Sequence, residues 1–112
     1  MTHIYLSGPM TGMPDFNRQA FNVAAEALRR TGHTVINPAE LNTADGSTWQ
    51  ACMRVCLKAL PDADVLALLP GWETSNGAHL ELHIAHRIGI AVMSIAEVFA
   101  LDIGRLPAEL DG

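Results

Sequence analysis

The sequence is poor in charged side chains, which make up 17% of its 112 residues, and its cations form no basic block. Seven Lys and Arg residues stand against twelve Asp and Glu residues, which gives a formal charge of −5 at pH 7. Because non-specific binding to a polynucleotide needs clustered cations, we expect no nucleic-acid partner. The apolar runs are too short to cross a bilayer, so we expect no membrane partner. The two cysteines, Cys52 and Cys56, lie one helical turn apart and are expected as core or half-buried thiols rather than as a disulfide scaffold.

The sequence is rich in apolar side chains, which make up 49% of its residues, and its mean hydropathy is +0.18. That is too apolar for a disordered chain, and the length fits a single domain over residues 1–112. The first residues pass directly into an apolar run without the features of a signal peptide, so we expect a cytoplasmic protein. A domain this small buries a modest core, so the high apolar fraction predicts a homodimer or a higher homo-oligomer.

Short apolar runs alternate with helical patterns along the chain. The runs that predict strands cover residues 3–6, 35–36, 64–69 and 90–93, and helical spacing predicts helices over residues 15–30, 48–60, 78–87 and 96–101. Asp15 is the expected N-cap of the first helix, Gly32 and Gly89 are expected stop signals, and Trp49, Met53 and Cys56 share a stripe of the second helix. The run at 64–69 is apolar throughout, which is typical of a central strand covered on both faces. We therefore predict an α/β sandwich of three layers around a parallel sheet of four to five strands.

Ligands of such sheets bind beyond the carboxyl ends of the strands. Three predicted loops fall there, over residues 7–14, 37–42 and 70–77, and all are rich in Gly, Pro and small polar residues. The loop after the first strand matches neither G-x-G-x-x-G nor the P-loop motif, so no sequence motif specifically indicates dinucleotide or NTP binding. We therefore expect the functional residues in these three loops.

The segment Ser75-Asn76-Gly77 precedes the predicted helix at 78–87. The start of a helix offers free backbone N–H groups and the positive end of the helix dipole. Ser75 adds a hydroxyl group, and Gly77 lets the backbone approach a ligand closely. This segment is therefore a candidate binding site for a phosphate group. The alternative is that Ser75 or Asn76 only caps the helix, and position alone favours the cap.

Glu81 shares one helical stripe with Ala78, Ala85 and Ile88, at spacings of three and four. A carboxylate on an apolar stripe costs free energy unless it is paired or used. The helix dipole favours its ionised form and burial opposes it, and an ionised, partly desolvated carboxylate can act as a nucleophile or a base. Two alternatives stay open: Glu81 reaches water at the edge of the stripe, or it pairs with a cation such as Arg87.

Other side chains in or near these loops have both a structural and a functional interpretation. Tyr5 lies in the first strand, where its hydroxyl needs a partner if it is buried. Trp72 can stack on a base, close a pocket or simply pack. His79, His83 and His86 share a helical face, but the segment does not match H-E-x-x-H, so we expect a surface or subunit-interface face rather than a metal site.

Three segments, taken in order, resemble the nucleoside 2-deoxyribosyltransferase superfamily. They are Ile4-Tyr5-Leu6-Ser7-Gly8-Pro9, the apolar strand at 64–69, and Ser75-Asn76-Gly77-Ala78-His79-Leu80-Glu81 followed by Ala85. The last segment is most similar to the 2′-deoxynucleoside 5′-phosphate N-hydrolases, and Leu69-Pro70-Gly71-Trp72 is similar to a compact bacterial and phage branch. The resemblance spans nearly the whole chain. It implies a Rossmann-like or flavodoxin-like fold and an enzyme that needs no metal or organic cofactor.

The resemblance also implies roles for individual residues. Glu81 would attack the anomeric carbon of the sugar, expel the base and form a glycosyl-enzyme ester, which water or a second nucleobase then resolves. Tyr5 would orient Glu81, and Ser75 with the Gly77 amide would hold a 5′-phosphate. The implied substrate-binding residues are Ser7, Gly8, Pro9, Asn37, Trp72, Ser75, Asn76 and Gly77, with Asn37 and Trp72 near the base.

One position departs from the pattern of the superfamily. Its members usually carry an aspartate on the helix before the central strand, oriented toward the sugar hydroxyls or the base, and the matching residue here is Cys56. A thiol does not replace the hydrogen bonding and proton transfer of a carboxylate. Either another group, for example from a neighbouring subunit, takes that part, or activity is weak, or the pocket only binds.

Together these features predict a nucleoside deoxyribosyltransferase or N-glycosidase of nucleotide metabolism. It would cleave or transfer the N-glycosidic bond of a (deoxy)nucleoside or its 5′-monophosphate, with Glu81 as the nucleophile. The alternative, favoured by Cys56, is a non-catalytic nucleotide-binding or sensing module with the same pocket. Base preference, ribose against deoxyribose, and hydrolysis against transfer stay open.

Overall fold

The computed structural model describes residues 2–41 and 48–102. In these segments the strands are β1 (His3–Ser7), β2 (Thr34–Ile36), β3 (Val65–Leu68) and β4 (Ala91–Ser94). The α-helices are α1 (Arg18–Arg30), α2 (Pro38–Leu41), α3 (Trp49–Ala59), α4 (Asn76–Arg87) and α5 (residues 95–102). Short 3-10 turns cover Pro14–Asn17, Leu60–Asp62 and Trp72–Thr74. The last residue of the predicted loop at 37–42 lies outside the described segments.

The four strands form one parallel sheet in the order β2-β1-β3-β4. The predicted central run at 64–69 forms β3, which lies between β1 and β4, and β1 in turn lies between β2 and β3. Unbroken apolar sequence suits such strands because both of their faces are buried. Tyr5 of β1 is in register with Ile36 of β2 and Leu66 of β3. The predicted parallel sheet is confirmed, with four strands in the described segments.

Helices cover both faces of this sheet, because alternate residues of β1 point to opposite sides. Ile4 and Leu6 pack with Phe21 of α1 and with α5 on one face. On the other face, Tyr5 packs with residues of α3 and α4. The predicted sandwich of three layers is therefore confirmed, and Tyr5 and Ser7 lie on the same face of the sheet as α4.

The first helix begins later than the sequence predicts. Asp15, the expected N-cap, lies instead in the first 3-10 turn, where Asp15, Phe16 and Asn17 have left-handed φ angles of 50°, 53° and 59°. The Asn17 side-chain amide donates to the Pro9 carbonyl oxygen over 3.0 Å, which holds this turn against the loop after β1. The Asp15 carboxylate pairs with the Arg18 guanidinium over 2.7 Å. The N-cap prediction for Asp15 is therefore wrong, and α1 begins at Arg18.

Two glycines end helices as predicted. Gly32 follows α1 with a φ angle of 94°, and Gly89 follows α4 with a φ angle of 83°, which residues with a β-carbon rarely adopt. After β4, Ser94 and Glu97 cap α5 reciprocally, because each side chain accepts a hydrogen bond from the other residue's amide over 3.1 Å. Within residues 2–41 and 48–102, none of the helices has the length and apolar character needed to cross a membrane.

Candidate active site

Glu81 lies in the second turn of α4 and is only 5% exposed. Ala78 and Ala85, which share its helical stripe, are buried, whereas Ile88 is 52% exposed. The buried part of the stripe therefore ends before Ile88, and Glu81 lies in the middle of that part. A carboxylate in such a position is costly unless its oxygens are hydrogen-bonded.

Both carboxylate oxygens of Glu81 accept hydrogen bonds from β1. The Tyr5 hydroxyl donates to Oε2, and the Ser7 hydroxyl donates to Oε1 over 2.8 Å. Tyr5 and Ser7 are two residues apart in the strand, so their side chains point to the same face, toward α4. Glu81 is therefore held inside the protein by two hydroxyls, and neither alternative, in water or beside Arg87, is observed. Ser7, which the sequence predicts as a substrate contact, contacts Glu81.

The surroundings of this pair shift its protonation. Burial raises the pKa of Glu81 to about 7, while the hydrogen bonds from Tyr5 and Ser7 act in the opposite direction. Burial also raises the pKa of Tyr5 well above its ordinary value, and the neighbouring Glu81 and Cys56 add to this effect. Tyr5 therefore stays a hydrogen-bond donor at neutral pH. A carboxyl group with a pKa near 7 is ionised in a substantial fraction of molecules at that pH, so it can act as a nucleophile or a base.

A cavity of about 640 Å³ opens beside Glu81, beyond the carboxyl end of β1. Its walls come from the loop after β1, the start of α1, helix α3 and the start of α4. This volume lies in the range of small-molecule sites. Six of the ten predicted catalytic and substrate-binding residues line it, namely Gly8, Pro9, Ser75, Asn76, Gly77 and Glu81.

Besides Ser7, which contacts Glu81, two predicted substrate-binding residues are absent from the described lining of the cavity. Asn37 is buried, and its side chain donates to Asn22 Oδ1 over 2.9 Å and accepts from the Ala39 amide over 3.0 Å. Trp72 packs against the apolar core, with its ring centroid 5.3 Å from that of His79. Neither is among the described residues that line the cavity. The structure therefore does not bring them to the position expected for the base: Asn37 holds the start of α2, and Trp72 packs beside α4.

The start of α4 combines a cap with open backbone donors. Ser75 is the N-cap, since its hydroxyl oxygen accepts from the Ala78 amide over 3.1 Å, and it also donates to the Gly8 carbonyl oxygen over 3.4 Å. The predicted capping role of Ser75 is thus confirmed, and α4 begins two residues before the predicted position. The amides of Asn76 and Gly77 belong to the first turn, where an α-helix leaves its N–H groups without partners inside the helix.

Helix α3 contributes a wall of the cavity, of which the sequence indicated only the position of Cys56. Trp49, Cys52, Met53 and Cys56 line it. Gly77 lets this wall approach α4, because a β-carbon built on Gly77 would lie 3.2 Å from Met53 Sδ and 3.7 Å from Trp49 Nε1. Helical spacing predicted that Trp49, Met53 and Cys56 share a face, but spacing alone does not show whether a face meets the core or a cavity.

Cys56 occupies the position where the superfamily pattern has an aspartate. The residue is 4% exposed, it lines the cavity, and it is one of the neighbours that raise the pKa of Tyr5. The departure noted in the sequence thus lies directly beside the Tyr5–Glu81 pair. Cys52, one turn earlier on the same wall, is half-buried, as expected.

The three histidines of α4 lie on the surface. His79, His83 and His86 are exposed, and His79 Nε2 is 2.7 Å from the Glu73 carbonyl oxygen, within hydrogen-bond distance. In the part of the chain that the structure describes, no group of three or more His, Cys, Asp or Glu side chains is placed to hold a metal ion. The helical face that the histidines share is therefore a polar surface of α4.

A family comparison covers the whole of this arrangement. Residues 2–94 match the model of a protein family described as a domain of unknown function, DUF4406. The chain belongs to the DUF4406 family. The matched residues include all four strands of the sheet and helix α4, so they include the Tyr5–Glu81 pair and the cavity beside it. No curated protein matches the chain.

The DUF4406 chain is also similar to solved structures. It is 26% identical to a 2-deoxyribosyltransferase from the psychrotolerant bacterium Bacillus psychrosaccharolyticus, with a TM-score of 0.63 over 82% of this chain and 70% of that one. It is 25% identical to a conserved protein from Enterococcus faecalis V583, with a TM-score of 0.64 over 84% of this chain and 62% of that one. Both similarities agree with the sandwich described above, and the first supports the superfamily that the sequence motifs resemble.

Proposed function

We propose that this DUF4406 protein cleaves or transfers the N-glycosidic bond of a (deoxy)nucleoside or its 5′-monophosphate. The observation that carries the proposal is the buried Glu81 carboxylate, which Tyr5 and Ser7 hold beside a cavity of about 640 Å³. A carboxylate fixed in this way can stabilise and then trap the oxocarbenium-like transition state of glycosidic cleavage. The similarity to a 2-deoxyribosyltransferase structure supports the same chemistry.

In the proposed reaction, a carboxylate oxygen of Glu81 attacks C1′ of the sugar as the C1′–N bond breaks. The electron pair of that bond leaves with the base, and a glycosyl ester of Glu81 forms. Water then hydrolyses the ester, or a second base displaces the carboxylate. Tyr5 and Ser7 hold the carboxylate in one orientation, which favours attack at a single carbon and stabilises the carboxylate when the second step releases it.

For a 5′-monophosphate, we assign the phosphate group to the start of α4. The amides of Asn76 and Gly77 and the positive end of the helix favour an anion there. Ser75 adds a hydroxyl at the same end while it caps the helix. Gly77 and Glu81 are one helical turn apart on the same face, so a phosphate at the first and a sugar at the second suit one nucleotide.

The proposal is tested by incubating the protein with dAMP, dGMP, dCMP and dTMP and measuring the released base by chromatography. The wild-type protein is expected to release at least one free base, and Glu81→Gln is expected to release none. Glu73→Gln is the control, because it removes an exposed carboxylate from the surface near the start of α4 and is expected to keep full activity. Tight nucleotide binding without turnover in either protein would contradict the proposal and indicate a non-catalytic nucleotide-binding module.

A further inference from the structure

Six of the side chains that line the cavity are electron-rich. They come from the loop after β1 and from α3, and we call them together the sulfur–indole wall: the thioethers of Met10, Met13 and Met53, the thiols of Cys52 and Cys56, and the indole of Trp49. Met53 and Trp49 lie close to Gly77, which is one helical turn before Glu81. The sulfur–indole wall and the Glu81 carboxylate therefore face the same cavity. Aromatic faces and sulfur atoms interact favourably with cationic or electron-poor rings. The wall therefore suits a positively charged planar ring.

The charges around the cavity also favour a positively charged ring. Arg18 also lines it, but the positive charge of Arg18 is balanced by Asp15, whose carboxylate lies 2.7 Å away. The same guanidinium lies 5.3 Å from the centre of the Phe16 ring, which engages it further. Because Asp15 and Phe16 engage Arg18, the ionised Glu81 carboxylate is the charge in the described lining that is free to attract a cationic ring, and it favours such a ring over a neutral one.

The departure of the base sets a second requirement. A neutral base leaves with an extra electron pair, and it leaves faster when a proton donor neutralises it. The ionisable side chains among the described lining residues are Arg18, Cys52, Cys56 and Glu81. An arginine does not release its proton, Glu81 is the proposed nucleophile, and a thiol is a weak hydrogen-bond donor that does not replace a carboxylic acid beside a departing base. A base that is already cationic in the nucleoside needs no proton from any of them.

We propose that this site acts on N-glycosides of cationic bases, either N-alkylated purines or N-glycosylated pyridinium rings; this inference rests on the proposed function of Glu81. The ring stacks on Trp49, with its positive charge against the sulfur–indole wall. When Glu81 attacks C1′, the C1′–N bond breaks and its electron pair neutralises the ring, so the base leaves uncharged and no proton moves. Water then attacks C1′, frees the Glu81 carboxylate and loses one proton to the solvent.

Affinity is tested with pairs of rings that carry no sugar and therefore cannot be cleaved. The pairs are 7,9-dimethyladeninium with 9-methyladenine and 1-methylnicotinamide with nicotinamide, titrated into the wild-type protein at pH 8 and followed by NMR. In at least one pair the cation is expected to bind about tenfold more tightly than its neutral partner. That pair shows whether the site prefers an N-alkylated purine or a pyridinium ring. Trp49→Ala is expected to remove most of this preference, and Trp49→Phe is expected to restore it. Equal affinities within both pairs would overturn the proposal.

Turnover separates this inference from the proposed function on which it rests. The 5′-monophosphates of 7-methyl-2′-deoxyguanosine and of N-ribosylnicotinamide are compared with dGMP at pH 7, and each rate is corrected for cleavage in buffer alone. We expect kcat/KM of a cationic substrate to exceed that of dGMP by about a hundredfold or more, the usual contribution of an acid. If dGMP is cleaved as efficiently, the inference fails and the proposed function stands. If none of these nucleotides is cleaved, the inference fails, and the proposed function is then decided by its own test with all four deoxynucleoside monophosphates.

Discussion

Glu81 is a carboxyl group enclosed between a strand and a helix, and two opposing effects set its protonation. Burial disfavours the charged form, and the hydroxyls of Tyr5 and Ser7 favour it. The result is a pKa of about 7, against an ordinary value of 4.5. Because this balance lies near neutral pH, small changes around Glu81 are expected to alter both activity and stability.

The pKa of Glu81 predicts opposite trends for activity and stability. The nucleophile is the ionised form, so kcat/KM is expected to rise with pH through about 7. Folding raises the pKa of Glu81, so the native state binds its proton more tightly than the unfolded chain does. That contribution to stability is complete below about pH 4.5 and is lost as the pH rises through about 7. It amounts to roughly 3 kcal/mol at most.

Glu81→Gln tests both trends, because glutamine keeps the size of the side chain and removes its charge. We expect the variant to be inactive and, in urea denaturation at pH 8, to be more stable than the wild type by up to roughly 3 kcal/mol. Near pH 5, where Glu81 of the native wild type is mostly protonated, the two proteins are expected to have similar stabilities. A stability difference that does not change with pH would contradict the assigned pKa.

Tyr5→Phe tests whether the strand hydroxyls act through Glu81. The Tyr5 hydroxyl lowers the pKa of Glu81, so its removal is expected to shift the rising limb of kcat/KM to higher pH. The shift is expected to be about one pH unit or more, since a hydrogen bond to a charged group contributes roughly 1.5–3 kcal/mol. Ser7→Ala is expected to shift the limb in the same direction. A lower kcat with an unmoved limb in both variants would mean that the hydroxyls act on substrate.

At the scale of single residues, the sequence predicts the polar centre of the site better than its walls. Glu81 and Tyr5 can be singled out because each is polar at an apolar position of its element. Trp49 and Met53 cannot, because the same helical period describes a face in the core and a face in a cavity. For Trp72 the sequence left stacking on a base, closing a pocket and packing open, and in the structure this residue packs against the core and beside His79.

Two helices of the site carry matched N-caps, which allows the role of the α4 start to be tested. Ser75 on α4 and Thr48 on α3 each accept a hydrogen bond from the amide three residues on. Replacing either one with alanine is expected to cost about 1 kcal/mol of stability. Only Ser75→Ala is expected to lower kcat/KM for monophosphates more than for nucleosides, by about ten- to a hundredfold. Equal losses for both substrates, or the same selectivity in Thr48→Ala, would contradict the phosphate assignment.

The close passage of β1 past the end of β3 predicts a strict requirement for glycine at position 8. A β-carbon on Gly8 would lie 2.8 Å from Leu69 Cβ, an atom fixed by its own backbone. Gly8→Ala is therefore expected to destabilise the protein by about 1–3 kcal/mol in urea denaturation. Gly77→Ala is the comparison, because its β-carbon would meet the flexible Met53 side chain and alanine favours the helix. A cost for Gly77→Ala as large as that for Gly8→Ala would show that this packing argument is wrong.

Among the elements, the four strands and the longer helices were predictable, whereas α2, which lies in a predicted loop, and the start of α1 were not. Asp15 lies before an apolar helical pattern, which is typical of an N-cap. The chain instead forms a left-handed turn at residues 15–17, and Asn17 in that turn donates to the Pro9 carbonyl oxygen. A helical pattern reports only the residues of the helix and its caps. It therefore does not reveal a hydrogen bond that joins this turn to the loop after β1. The starts of α3 and α4, by contrast, are set by local caps, and both elements were predicted close to their observed positions.

The whole molecule brings together a site whose parts are distant in sequence. Tyr5 and Glu81 are separated by 76 positions, and the order β2-β1-β3-β4 places β1 beside β3, whose end leads toward α4. The rule that ligands bind beyond the carboxyl ends of parallel strands predicted this edge of the sheet. The rule does not say which side chains of α3 face that edge, because this depends on how the helix packs.

At the scale of the whole molecule, self-association stays a prediction from the high apolar fraction of the sequence. Phe16, Val23, Ile88 and Leu101 are each more than half exposed, although they are large and apolar. Exposed apolar side chains of this size are common at subunit interfaces. We expect light scattering after size-exclusion chromatography to give a mass at least twice the 12.0 kDa of one chain. The mass of a single chain at micromolar concentration would contradict this expectation.

The most direct test of the account concerns the ester between Glu81 and the sugar. The wild-type protein is incubated with a 2′-deoxy-2′-fluoroarabinosyl nucleotide, whose fluorine slows the breakdown of such an ester, and is then denatured in acid for mass spectrometry. We predict a mass increase equal to the fluorinated sugar phosphate minus one water, located on the peptide that contains Glu81 and absent from Glu81→Gln. Release of the base without an adduct, or an adduct that persists in Glu81→Gln, would contradict the account.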